Sequence, residues 1–117
     1  MSNESTDDRR KRLRAAAERK RKRNNAEQWG PEPGESIEGE FLGQRVLDNH
    51  YGRTPLYFVE SFEGDVYSVI GRTALELEMD RERPGTGDLV SITYEGRKPS
   101  EKYDTDFYSY TVVVAEE

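Results

Sequence analysis

The 117-residue sequence predicts an all-β fold, a small β-barrel, carrying a separate basic arm, and three observations predict it. Apolar residues recur in five short runs between residues 36 and 115, bounded by Gly, Pro, Asn and Asp. One stretch with helical spacing lies between the third and fourth runs. The charge is also split: residues 1–28 carry ten basic and five acidic residues, while residues 29–117 carry eight basic and nineteen acidic.

The arm comes first. Arg9, Arg10, Lys11, Arg12, Arg14, Arg19, Lys20, Arg21, Lys22 and Arg23 are opposed between Arg9 and Arg23 only by Glu18. With Leu13 and a few alanines as its apolar content, residues 1–28 bury too little area to fold alone. Arg, Lys and Ala favour helix, so the arm is expected to be disordered or helical over about 8–28, with Asn24-Asn25 as a weak point. Such a cationic window attracts polyanions, because each phosphate neutralised releases condensed counterions. Residues 29–35, with Trp29-Gly-Pro-Glu-Pro-Gly34, read as a Pro/Gly linker, and Trp29 is expected to pack on the domain that follows.

Residues 36–117 then form the barrel domain. Ser36–Leu47 is a long first strand bent at its glycines, and residues 48–54 are a loop. Pro55–Ser61 and Val66–Gly71 make a hairpin about Glu63-Gly64-Asp65. Thr73 and Glu76 fit a capping box opening a helix of about two turns that ends before Pro84. Asp88–Gly96 alternates cleanly, residues 97–106 form a polar loop, and Phe107–Ala115 is the last strand. A bent strand, a hairpin, a short plugging helix and a closing hairpin are the outline of a five-stranded OB-fold, with its helix between strands 3 and 4.

In that fold the ligand crosses strands 2 and 3 between the 1–2 and 4–5 loops. Here those loops hold Tyr51 and Arg53, and Arg97, Lys98, Lys102 and Tyr103. Tyr57 and Tyr67, on strands 2 and 3, are candidates for the exposed face. Rings that stack on bases beside cations that follow phosphates are what single strands require. The carboxylates Glu35, Glu38 and Glu40, with Glu76, Glu78, Asp80 and Glu82, would repel nucleic acid from other faces, dock a basic partner, or hold the chain's own arm.

Other classes of function find little support. Without cysteine there is no thiolate metal site or thiol nucleophile, and the single His50 cannot build a histidine metal cluster. No nucleophile–base–orienter set stands out and no phosphate-cradling Gly-rich motif is present, so no enzyme activity, metal or cofactor is expected. No apolar run is long enough for a membrane span, and no secretory leader is legible, which makes a cytoplasmic protein the expectation.

The segments Val66–Leu77 (VYSVIGRTALEL), Gly87–Gly96 (GDLVSITYEG) and Phe107–Val114 (FYSYTVVV) resemble small phage-encoded OB-fold proteins of the single-stranded-DNA-binding type. The resemblance covers about residues 37–115 and implies single-stranded DNA as ligand, in replication or recombination within the host cytoplasm. Two other readings stay open. The acidic barrel would be a protein–protein module for a basic replication or transcription protein, or the barrel would be a scaffold whose arm alone binds RNA or duplex DNA.

Overall fold

The computed structural model describes residues 5–50, 52–100 and 106–115. The chain is mostly β, with two helices: α1 (Thr6–Asn24), β1 (Glu27–Gln28), β2 (Ser36–Asn49), β3 (Gly52–Ser61), β4 (Val66–Ile70), α2 (Thr73–Glu82), β5 (Leu89–Pro99) and β6 (Asp106–Ala115). The five expected strands correspond to β2–β6, and the expected helix to α2. Two features of the expected barrel need correction. The strands form one open six-stranded sheet in the order β1-β4-β3-β2-β5-β6, so β4 and β6 do not pair to close it. The sixth strand is β1, two residues that run parallel to β4 at Tyr67 and Ser68. So short a strand has no periodicity of its own, which is why composition alone assigns it to the arm.

Both hairpins reach further than their sequences suggest. Asp48 pairs with Arg53 and Asn49 with Gly52, so most of the expected 48–54 loop is ladder. Arg97, Lys98 and Pro99 likewise pair with Tyr108, Phe107 and Asp106. Polar residues tolerate a two-stranded ribbon that projects into solvent, where no burial pattern marks them as strand.

The main core lies on one face of the sheet. Ile37, Phe41, Tyr57, Val59, Val69, Val90, Ile92 and Val112 pack beneath Leu75 and Met79 of α2. At Gly39 a Cβ would overlap the Glu60 carbonyl oxygen, so only glycine lets β2 and β3 approach there. A smaller cluster, Leu42, Leu56 and Phe58, lies on the opposite face beside Ala26. Helix α2 starts one residue earlier than a capping box at Thr73 requires. Arg72 is its N-cap and Thr73 its first helical residue, and no side chain caps it. The helix ends at Arg83, left-handed with φ 48°, just before Pro84.

Helix α1 has a built start and stop. The Ser5 hydroxyl accepts from the Asp8 amide, Asp7 and Asp8 occupy the first turn, and Arg21, Lys22 and Arg23 the last, all favourable to the helix dipole. None of its residues is buried. Its C-terminal half is tethered to the sheet: Lys22 Nζ is 3.1 Å from Glu60 Oε1, Arg19 is 3.8 Å from Glu40, and Arg23 Nη1 donates to the Leu42 carbonyl at 2.8 Å. The hydrogen bond from Lys22 to Glu60 raises the lysine pKa, against the opposing effect of burial. The sequence places Glu40 among carboxylates able to hold the arm; Glu60 is its unanticipated companion.

Residues 29–35 are a strap rather than a free linker. The Trp29 amide donates to the Ser68 carbonyl of β4 at 2.8 Å, and the Gly34 amide to Tyr94 of β5 at 2.7 Å. Trp29 packs against the main core, as expected of it. Among the described residues no helix is long and apolar enough to cross a membrane.

Candidate nucleic-acid interface

Where β4 and β6 fail to pair, the sheet leaves a seam. A cleft of about 230 Å³ lies there, lined by Trp29, Val69, Arg72, Tyr94, Tyr108 and Tyr110. A neighbouring cleft of about 540 Å³ runs between Arg53–Pro55 at the base of the β2–β3 ribbon and Asp106–Tyr108 at the start of β6. Ile70, Arg72 and Tyr108 line both clefts and so form the wall between them.

The local sequence explains this wall. Alternation along β6 turns Tyr108 and Tyr110 to one side, and Tyr110 sits opposite Tyr94 in register. The ring centroids of Tyr94 and Tyr110 are 5.3 Å apart, and those of Tyr94 and Tyr108 6.2 Å, both tilted. Beyond Tyr94 the register shifts by one residue at Gly96, whose φ of 94° favours glycine. Without that bulge Gly96 would face Tyr108. With it, Arg97 does, and the guanidinium lies 5.4 Å from the Tyr108 ring centroid.

Arg72 approaches the same ring more closely, at 4.2 Å. It leaves β4 through Gly71, where a Cβ would meet Pro55 and Tyr57, and it spends its side chain on the cleft instead of on capping α2. Burial raises the Tyr110 pKa, and Arg72, by its charge and its contact with the hydroxyl, partly offsets that rise. Two guanidinium groups therefore share the Tyr108 ring, which neighbours Tyr94, and Tyr94 in turn neighbours Tyr110.

The expected site residues divide sharply. Arg53, Arg97 and Lys98 are exposed; Arg53 lines the larger cleft, Arg97 lies over the Tyr108 ring, and Lys98 pairs in register with Phe107 beside it. Tyr57 does not belong with them. It is 2% exposed, in the main core, with its phenol pushed up to about 12 by burial and by Glu76 and Asp80 of α2. Alternation correctly separates Tyr57 from Phe58, but both faces of β3 are covered, so neither ring is open to a base. Tyr67 is partly buried and borders a different recess, with Glu35, Glu38, Glu63 and Asp65. Burial first, then Asp65, Glu27, Glu63 and Glu35, raise its pKa, and phosphates would be repelled from that recess. Tyr51, Lys102 and Tyr103 lie outside the described residues.

Sequence reasoning missed Arg72, Tyr108 and Tyr110. The available signal was the Tyr-x-Tyr spacing of the last strand, which puts two rings on one face. Arg72 carried no comparable mark, because the residue before a helix is normally read for its cap. The larger cleft also contains Glu76 and Asp106, which limit how far a phosphate chain can enter on that side. Among the described residues no three metal-ligating side chains gather. No family model, curated protein or solved structure matches this chain, so its site stands on its own chemistry.

Proposed function

We propose that this chain is a non-enzymatic binder of single-stranded nucleic acid, DNA in replication or recombination, with the seam clefts as its groove. The observation that carries the reading is the Arg72–Tyr108–Arg97 cluster, where flat cationic groups and rings meet at a solvent-facing wall. A guanidinium on a ring offers a planar surface on which a base can continue the stack, while its N–H edges reach phosphate. Arg53 extends the positive charge along the larger cleft. The order of the five long strands, and a helix between the third and fourth of them, support an OB-type architecture with the strap lying across the open side. The stretch from the first hairpin's base to the second hairpin's end is where such a fold grips its ligand.

The test is fluorescence anisotropy of labelled oligo-dT with the full chain. Tyr108→Ala should weaken binding by about 5- to 150-fold, the equivalent of ~1–3 kcal/mol for one stacked base. Unchanged affinity in a variant with intact circular dichroism overturns the reading. One observation favours the rival protein-docking reading: Phe62 is 67% exposed beside the recess bordered by Glu35, Glu38, Glu63 and Asp65. That recess suits a basic partner, and failure of the full chain to bind oligo-dT would shift the balance towards it.

A further inference from the structure

Helix α1 spends only part of its charge on the sheet. Arg19, Lys22 and Arg23 face β2 and β3, and Glu18 turns the same way, 3.7 Å from Lys22. At about 100° per residue, Arg10, Arg14, Ala17 and Arg21 fall on the opposite side, flanked by Arg9 and Lys20. All six are exposed, and from Arg9 to Asn24 the one carboxylate, Glu18, borders the stripe one turn from Arg14 and reaches away from it to Lys22 at 3.7 Å.

We infer that this outward stripe is a docking surface for duplex DNA, with α1 in the major groove and Arg10, Arg14 and Arg21 on the phosphates that border it. The inference stands beside the cleft reading and does not depend on it. Arg10 and Arg21 are separated by about 16 Å of helix axis, long enough to follow a groove rather than touch one phosphate. A helix about 10–12 Å across matches a major groove about 12 Å wide, and the short Ala17 lets the backbone approach. Duplex RNA has a major groove too deep and narrow for a helix, which makes the surface selective for DNA. Arginine's planar fork suits phosphate, and the helix is already capped and tethered, so little ordering is needed on binding.

The test uses the full chain and two triple variants of equal charge: R10Q/R14Q/R21Q on the outward stripe and R19Q/K22Q/R23Q on the sheet side. Glutamine keeps the helix propensity, and circular dichroism checks the helix. The probes are a labelled 20-base-pair DNA duplex, the same sequence as duplex RNA, and oligo-dT. The outward variant should lose at least tenfold in duplex-DNA affinity and reduce the slope of log K against log salt by about 2.7. The sheet-side variant should lose less than threefold, and duplex RNA should bind at least tenfold more weakly than duplex DNA. Equal losses from the two variants, equal binding of RNA and DNA duplexes, or unchanged duplex-DNA affinity in the outward variant would each overturn the inference. Failure of the cleft reading would show separately, as oligo-dT binding insensitive to Tyr108→Ala.

Discussion

Helix α2 covers one face of the sheet through Leu75 and Met79, 0% and 3% exposed, whereas α1 covers part of the other without burying a residue of its own. The first attachment is buried and apolar, and every methylene removed from it should be felt. The second is two ion pairs and an arginine–carbonyl hydrogen bond around the small Leu42–Leu56–Phe58 cluster, closed by Ala26. Partly exposed pairs of this kind contribute about 0–1 kcal/mol each and weaken with salt. The contrast separates a helix that is part of the fold from one held against it, free to meet a ligand on its far side.

Leu75→Ala is the strongest way to break this contrast. It should destabilise the protein by about 2–5 kcal/mol in denaturant unfolding, and a loss near that of an ion pair would make the two helices alike. A smaller effect sharpens it through pH. Tyr57 lies beneath α2 with its phenol held at about 12, above the usual value near 10. Its contribution is complete below pH 10 and is lost as pH climbs towards 12, because the unfolded chain releases that proton first. Thermal melts between pH 10 and 12 should decline more steeply for the native chain than for Tyr57→Phe. The Lys22 pKa is also raised, so the α1 tether fades above about pH 10.5 in the same direction. Least of all, Glu60→Gln should cost under about 1 kcal/mol at low salt and nothing measurable at 1 M salt. A loss of several kcal/mol there would show that α1 is integral to the fold.

Much of the architecture was legible because it rests on local rules. The five long strands and the helix after the third follow from alternation and turn residues, while propensity left the arm either disordered or helical. The end of α1 at Asn24 also fell where paired asparagines weaken a helix. What was illegible depends on tertiary choices. Alternation tells that Tyr57 and Phe58 face opposite ways, but not that both sides are covered. The bulge at Gly96 decides which residue faces Tyr108, and nothing in the spacing of the last two strands announces a one-residue slip. Of the expected cations, Arg53 and Arg97 come to the seam, because loop basics at adjacent hairpin ends converge once the strand order is right, while alternation turns Lys98 to the face opposite Arg97. The ring that Arg97 meets is Tyr108, not Tyr57 or Tyr67.

The pairing of Glu27 and Gln28 with β4 has a practical consequence. Val66–Ile70 is an outer strand, and its free edge is covered at Tyr67 and Ser68 by those two residues, with the Trp29 amide on the Ser68 carbonyl. Trimming the chain at the boundary its composition suggests, after residue 28, would strip the paired strand, leave only the Trp29 contact, and open a template for another molecule's strand. Aggregation of such a fragment would then reflect an uncapped sheet rather than lost charge.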